Sequence, residues 1–98
     1  MVSVGIVGYG YWGKNHVRAL TSIQESDLKV ICDSRPLDIT KEMIPHGVEY
    51  IRDYRSMISN NLIDAVVIAT PTSTHYTIAK EFLEARKHVL VENPLTTN

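Results

Sequence analysis

The sequence has few of the features that are typical of disulfide-bonded, nucleic-acid-binding, membrane or metal-binding proteins. Cys32 is the only cysteine among 98 residues, so no internal disulfide can form, which suits a reducing cytoplasm. Ten Lys and Arg against eleven Asp and Glu give a formal net charge of −1, which offers no general attraction to nucleic acid or to an anionic membrane. No apolar run approaches the roughly 18 residues of a membrane-spanning helix, and no Cys/His spacing suggests a metal site. We therefore expect a cytoplasmic protein without these partners.

Short apolar runs alternate with helix-like segments along the chain. Strands are predicted over residues 2–7, 28–32, 48–51, 64–69 and 88–91. Helical segments are predicted over 14–20 and 37–43, over one turn at 55–58 that Asp53 could cap, and after Pro71. This alternation predicts an α/β fold, a doubly wound parallel sheet of the Rossmann type with about five strands and helices on both faces. The length suffices for one such domain, over residues 1–98.

The segment after Pro71 has the apolar period of an amphipathic helix. One set of side chains is predicted to face the sheet: Ile78, Ala79, Phe82, Leu83 and Arg86. A charged set is predicted to face water: Lys80, Glu81, Glu84 and Lys87. Ser73 or Thr74 is predicted to cap the start of the helix.

Three glycines stand between the first predicted strand and the helix after it: Gly8, Gly10 and Gly13. In a Gly-x-Gly-x-x-Gly at such a junction, the first glycine permits a tight turn and the second lets a pyrophosphate approach the backbone. The third lets helix and strand pack closely. Asp33 ends the second strand twenty positions after Gly13, where dinucleotide folds place the carboxylate that binds the adenosine ribose. The pattern therefore predicts a dinucleotide cofactor site.

Ligands of doubly wound sheets bind beyond the carboxyl ends of the strands, so the loops there are expected to form one surface. The loop of residues 8–13 is predicted to take the pyrophosphate. The loop of Asp33, Ser34 and Arg35 is predicted to take the adenosine ribose. Two further loops are predicted to flank the nicotinamide, one of Ala69, Thr70, Pro71 and Thr72 and one of Glu92, Asn93 and Pro94.

The ribose loop bears on the choice between NAD and NADP. Asp33 favours NAD, because a carboxylate accepts hydrogen bonds from ribose hydroxyls and repels a 2′-phosphate. Arg35 leaves NADP open, since its guanidinium could stack on the adenine or pair with that phosphate.

Three separately spaced motifs stand in these loops: Gly-Tyr-Gly-Tyr-Trp-Gly-Lys-Asn-His at 8–16, Ala-Thr-Pro-Thr-Ser-Thr-His at 69–75 and Val-Glu-Asn-Pro-Leu at 91–95. Together they resemble the Gfo/Idh/MocA family of NAD(P)-dependent sugar, inositol and related oxidoreductases, over the whole chain. The resemblance implies that Tyr11, Trp12 and Gly13 lie against the pyrophosphate. It also implies a set along the nicotinamide half, Thr70, Pro71, Thr72 and His75, with Glu92 at the nicotinamide ribose.

Two departures from the family pattern bear on turnover. The third motif of the family reads Glu-Lys-Pro, and its lysine assists proton transfer, whereas Asn93 stands at that position here. A carboxamide cannot act as a general acid or base near neutral pH, so no catalytic side chain is assigned here. His75 could help to position the substrate or the nicotinamide, or it could cap or pack at the start of its helix. Family members also carry a C-terminal substrate-binding domain, and the chain stops at Asn98, so that domain is expected to be absent.

The leading hypothesis is therefore the dinucleotide-binding domain of an oxidoreductase that acts on a sugar, a polyol or a similar substrate. The alternative is a non-catalytic NAD-binding module for regulation or assembly, which Asn93 would suit. In either case a sheet without its second domain exposes an edge and apolar side chains. We therefore expect a homo-oligomer, or a partner that covers this surface.

Overall fold

The computed structural model describes residues 2–9, 26–35, 44–70 and 72–91. The elements in chain order are β1 Val2–Val7, β2 Ser26–Cys32, β3 Glu49–Ile51, α1 Arg55–Ile58, β4 Ala65–Ile68, α2 Thr72–Glu84 and β5 His88–Val91. All five predicted strands are confirmed, with ends that shift by no more than two residues. The helices predicted over 14–20 and 37–43 lie outside the described residues. Neither α1 nor α2 is long and apolar enough to cross a membrane.

Within the described residues, the five strands form one parallel sheet in the order β3-β2-β1-β4-β5. The chain starts at the centre, moves outward through β2 and β3, and then returns to place β4 on the other side of β1. The predicted doubly wound Rossmann sheet is therefore confirmed. In such a sheet the order reverses between β1 and β4, and ligands bind at the carboxyl ends around that point.

A bulge in β2 changes which face of the sheet its later side chains point to. Val4 of β1 pairs with Leu28, but the next residue, Gly5, pairs with Val30, so Lys29 is an extra residue in the strand. Lys29 is exposed and forms an ion pair with Asp27 at 2.8 Å. The bulge lets a buried apolar strand accommodate a lysine without burying its charge.

The central strands β1, β2 and β4 are buried on both faces over most of their length, which explains why they read as continuous apolar runs. One cluster packs β-strand side chains against α1 and α2, with Met57 and Phe82 almost wholly buried. The other cluster contains Val4, Ile6, Ile31 and Tyr9. β4 contributes to both, as predicted for a central strand buried on both sides.

The helix α2 differs from its prediction at both ends. It begins at Thr72, so Ser73 and Thr74 lie inside its first turn, and the prediction that either caps it is wrong. It ends at Glu84, and Arg86 takes a left-handed conformation with φ of 65°. The helical period therefore stops before Arg86 and Lys87, although the prediction continued it through both.

The faces of α2 are also partly different. Ile78 and Phe82 are buried as predicted, but Leu83 is 59% exposed. Glu81 is half-buried and accepts a hydrogen bond from the Tyr54 hydroxyl. Lys87, predicted to face water, is buried, and its ammonium donates to the carbonyls of Asn60 at 2.9 Å and Ile63 at 2.7 Å. Lys87 therefore joins the start of β5 to the loop that precedes β4.

Candidate functional site at the carboxyl ends of the strands

The turn after β1 lies against the end of β4, because Gly8 has no side chain to keep the two backbones apart. Gly8 has φ of +102°, and a Cβ placed there would lie 2.7 Å from the carbonyl carbon of Ala69 and 2.8 Å from the nitrogen of Thr70. Its nitrogen donates to the Cys32 carbonyl at 2.6 Å, and the Ala69 nitrogen donates to the Val7 carbonyl at 2.8 Å. Only glycine fits this position, because both the backbone conformation and the space exclude a side chain.

Asp33 lies beside this turn. Its Oδ2 accepts a hydrogen bond from the Tyr9 nitrogen at 2.8 Å, across 24 positions of sequence. Tyr9 itself is buried in the core. The acid predicted for the ribose and the turn predicted for the pyrophosphate are therefore neighbours, joined by a hydrogen bond.

Arg35 forms an ion pair with Asp33. The Arg35 nitrogen and its Nε donate to Oδ1 at 2.9 and 3.0 Å, and Nη2 donates to Oδ2 at 3.3 Å. Nη2 also donates to the Tyr9 carbonyl at 3.0 Å. Partial burial of Asp33 acts to raise its pKa, but the hydrogen bonds from Arg35 and Tyr9 outweigh that and lower the pKa below its usual value. The Asp33 carboxylate is therefore charged at neutral pH.

The backbone of this loop is held from β3 and the residue after it. The Tyr50 hydroxyl donates to the Arg35 carbonyl at 2.6 Å, and the Tyr50 ring meets the Tyr9 ring edge to face. The Arg52 guanidinium donates twice to the Ser34 carbonyl, at 3.2 Å from both nitrogens. These contacts fix the positions of Ser34 and Arg35 independently of the Arg35 side chain.

The loop after β4 is tied to the first turns of α2. The His75 Nε2 donates to the Thr70 carbonyl, so Nε2 carries the hydrogen, because a carbonyl oxygen can only accept. The Thr74 hydroxyl donates to the Thr70 hydroxyl at 2.8 Å. In this arrangement His75 holds the loop that begins at Ala69.

The structure thus brings together the predicted site residues that it describes at the ends of β1, β2 and β4: Gly8, Asp33, Ser34, Arg35, Ala69, Thr70, Thr72 and His75. The remaining predicted site residues lie outside the described residues: Gly10, Tyr11, Trp12, Gly13, Pro71, Glu92 and Asn93.

Two side chains with functional groups, a thiol and an ammonium, take no part in this surface. Cys32 is almost wholly buried, and its burial, with the charge of Asp33, raises the pKa of its thiol to about 12. The thiol is therefore unreactive. Lys87 precedes β5, at the amino ends of the strands, and cannot take the role of the lysine that Asn93 replaces.

Sequence reasoning did not find the contacts of Tyr50 and Arg52 with the ribose loop, because they depend on β3 pairing beside β2. It also did not find the Tyr9–Asp33 hydrogen bond. The bond from the Arg35 nitrogen to Asp33 could have been predicted from the spacing of the two residues. An aspartate often accepts from the backbone two residues later.

Comparison with known proteins decides the family. The model of the Gfo/Idh/MocA family, described as an oxidoreductase family with an NAD-binding Rossmann fold, matches residues 2–98. The chain belongs to the Gfo/Idh/MocA family. It is therefore a Rossmann domain of a family whose cofactor is NAD.

Several proteins are similar to this member of the family. The uncharacterized oxidoreductase YrbE of Bacillus subtilis is 36% identical over 97% of the chain, which spans 28% of YrbE. A glycosyl hydrolase family 109 protein of Shewanella sp. is 35% identical, and the chain spans 23% of it. The crystal structure of scyllo-inositol dehydrogenase from Lactobacillus casei, with NAD(H) and scyllo-inositol bound, superposes with a TM-score of 0.82 at 34% identity. That comparison covers 96% of the chain and 28% of the dehydrogenase, so the chain spans roughly a quarter of these relatives.

Proposed function

We propose that the strand ends around Gly8 and Asp33 bind NAD, with the pyrophosphate on the loop that starts at Gly8 and the adenosine ribose on Asp33. The observation that carries this proposal is the hydrogen bond from the Tyr9 nitrogen to the Asp33 carboxylate. It holds a charged carboxylate beside a turn that has no room for a side chain. Both features fit a dinucleotide whose phosphates approach backbone N–H groups.

The remaining assignments are part of the same proposal. The pyrophosphate contacts are assigned to Gly8, Gly10, Tyr11, Trp12 and Gly13. The adenosine contacts are assigned to Asp33, Ser34 and Arg35. The nicotinamide contacts are assigned to Ala69, Thr70, Pro71, Thr72, His75, Glu92 and Asn93.

We further propose that residues 1–98 form the cofactor domain of an oxidoreductase that acts on a sugar, a polyol or a similar hydroxyl or carbonyl substrate. The likeness to scyllo-inositol dehydrogenase supports this substrate class. NAD, when bound, supplies an acceptor for the hydride of an alcohol carbon. The chain's own contribution is to orient the cofactor, because Asn93 cannot act as a general acid or base, while the hydrogen bond from His75 Nε2 to the Thr70 carbonyl positions the loop after β4. Asn93 would suit the alternative of a non-catalytic module, but similar proteins that include an oxidoreductase and a dehydrogenase give that alternative no support.

We also propose that a second copy of the chain, or a partner, covers the surface formed by the outer side of α2 and the edge strand β5. Tyr76, Leu83 and Leu90 are each more than half exposed there. A groove of about 400 Å³ runs along α2 between Tyr76, Ala79, Lys80, Leu83 and Glu84. Light scattering at rising concentration tests this, and a monomer throughout contradicts self-association.

The near-neutral charge supports a further proposal that neither nucleic acid nor an anionic membrane is a partner. We also propose a cytoplasmic location, which the single buried thiol of Cys32 supports.

Calorimetric titration tests the cofactor proposal. The chain should bind NAD⁺ or NADH saturably at one site, and Asp33→Ala should abolish that binding, while circular dichroism shows an unchanged fold. Asp53→Ala is the matched control, because Asp53 is an exposed aspartate of the neighbouring loop. Equal binding by the wild-type chain and the Asp33→Ala variant contradicts the assignment of the ribose to Asp33.

A further inference from the structure

We propose that Arg52 is a positioning residue, which orients the Asp33 carboxylate for the adenosine ribose through the peptide bond between Ser34 and Arg35. The inference rests on the proposed function, because it requires Asp33 to bind that ribose. It goes beyond that function by giving a role in the site to a side chain that follows β3 and that the sequence did not point to.

The first step is the peptide unit that joins Ser34 to Arg35. Its carbonyl oxygen accepts from Nε and Nη2 of Arg52, each at 3.2 Å, and its nitrogen donates to Asp33 Oδ1 at 2.9 Å. The peptide bond is trans and planar, so its C=O and N–H point in opposite directions. The guanidinium of Arg52 and the carboxylate of Asp33 therefore hold the two sides of one rigid group.

The second step is the effect of Arg52 on that N–H. Hydrogen bonds to the carbonyl oxygen fix the plane of the peptide and thereby aim the N–H at Asp33 Oδ1. A cationic donor on the oxygen also polarises the peptide, because hydrogen bonds that share a chain strengthen one another. We therefore expect the bond from the Arg35 nitrogen to Asp33 to be weaker without Arg52.

The third step is the support of Arg52 itself. The Asp33 nitrogen donates to the Ile51 carbonyl at 3.1 Å, which continues the pairing of β2 with β3. The residue before Arg52 is thus joined to the residue before Ser34, so the guanidinium is anchored beside the carbonyl that it contacts.

The fourth step is the consequence for a ligand. The Asp33 side chain is 13% exposed, and its Oδ2 accepts from the Tyr9 nitrogen at 2.8 Å. With a backbone nitrogen on each oxygen, the carboxylate has one orientation before a ribose arrives. A preorganised acceptor does not have to be ordered during binding. Loss of Arg52 therefore weakens the binding of any ligand that uses Asp33.

Two measurements on Arg52→Met test the proposal, since methionine keeps an unbranched side chain but has no hydrogen to donate. In the ¹⁵N-labelled chain without ligand, the Arg35 amide proton should move to lower chemical shift, as expected for a weakened hydrogen bond. In calorimetric titration, NAD⁺ and ADP-ribose should each bind about threefold weaker, the effect expected for one exposed hydrogen-bonded group. An equal loss for ADP-ribose places the effect in the adenosine half.

Two further variants separate positioning from stability and from charge. Arg52→Lys keeps a charged donor and should recover part of both changes. Arg55→Met is the matched control, because it removes the same charge from an exposed arginine that pairs with Asp53. It should leave the Arg35 amide signal and the NAD⁺ affinity unchanged. Urea unfolding of Arg52→Met should differ little from that of the wild-type chain, because Arg52 is exposed.

The outcomes separate this proposal from the proposed function. An Arg35 amide signal that stays in place in Arg52→Met overturns the positioning role, whether or not NAD⁺ binds. A shifted signal with wild-type NAD⁺ affinity overturns it as well, because the orientation of Asp33 would then not affect binding. The same changes in Arg55→Met overturn it as an effect of net charge. A wild-type chain that binds no dinucleotide contradicts the proposed function, and this inference with it.

Discussion

Two Asp-x-Arg segments follow neighbouring strands of this sheet, and they are used differently. Asp33-Ser34-Arg35 follows β2, and Asp53-Tyr54-Arg55 follows β3. In both, the arginine nitrogen donates to the aspartate Oδ1, at 2.9 and 3.0 Å, and the side chains form an ion pair. The local sequence therefore produces the same turn twice.

The neighbours of the two segments differ. β2 lies beside the central strand, so Asp33 meets the Tyr9 nitrogen and its side chain is 13% exposed. β3 is at the edge of the sheet, so the Asp53 side chain is 66% exposed, and Arg55 lies over the Tyr54 ring at 5.1 Å. The prediction that Asp53 caps α1 is wrong, because the N-cap is Tyr54 and the Asp53 carboxylate accepts from the Arg55 nitrogen ahead of it. Asp33 instead joins the turn after β1 to the loop after β2. The position in the sheet, and not the tripeptide, therefore decides how far each aspartate is buried and what it contacts.

The largest expected effect comes from placing a side chain between the turn after β1 and the end of β4. Gly8→Ala should lower the free energy of unfolding by about 3 kcal/mol, since the added Cβ meets backbone atoms and φ is unfavourable. Gly47→Ala is the control, because its φ is +84° but nothing lies within 4 Å of the added Cβ. It should cost about 1 kcal/mol. Urea unfolding measures both, and equal losses would show that close approach does not matter at Gly8.

Neutralising each aspartate in turn sharpens the comparison directly. Asp33→Asn should weaken NAD binding by about 2 kcal/mol, or roughly 30-fold, as expected for a lost charged acceptor. Asp53→Asn should leave the affinity within about twofold, because its carboxylate accepts from the Arg55 nitrogen. Calorimetric titration measures both values. Similar losses in the two variants would mean that the two segments are not functionally distinct.

A substitution at the opposite end of the sheet separates stability from binding. Lys87→Met removes the ammonium that donates to the carbonyls of Asn60 and Ile63, so the free energy of unfolding should fall by about 1.5 kcal/mol. The affinity for NAD should not change, because Lys87 precedes β5 and lies far from the strand ends that carry Asp33. Urea unfolding and titration of the same preparation check this. A loss of affinity measured while the variant is fully folded would contradict the proposed position of the site.

The smallest expected effect is on the pH dependence of stability. The pKa of Asp33 is lower in the folded chain than its unfolded value of about 3.9, so its stabilisation is present above that pH. The stabilisation is lost as the pH falls through the folded-state pKa. The difference in unfolding free energy between the wild-type chain and Asp33→Asn should be about 1 kcal/mol at pH 7 and should disappear as the pH falls through the folded-state pKa. A difference that stays constant across this range would show that the ion pair with Arg35 contributes nothing.

The sheet was predictable because its strands are apolar on both faces, which leaves a strong signal at 2–7, 64–69 and 88–91. The position of Asp33 was also predictable, since its distance from the glycines is set by one strand–helix–strand unit. The burial of Lys87 was not predictable. The periodic pattern assumes an unbroken helix, whereas the left-handed turn at Arg86 redirects the chain before Lys87. The contrast between the two Asp-x-Arg segments was not predictable either, since it depends on which strand pairs with β1.

The central claim is that only the Asp-x-Arg segment beside β1 belongs to the dinucleotide site, and an NMR titration tests it most directly. On addition of NAD⁺ to the ¹⁵N-labelled chain, the amide signals of Gly8, Tyr9, Asp33, Arg35 and Thr70 should shift together and saturate. The amide signals of Asp53, Tyr54 and Arg55 should stay in place. Saturable shifts at the second segment with none at the first, or no shifts at either, would contradict the account.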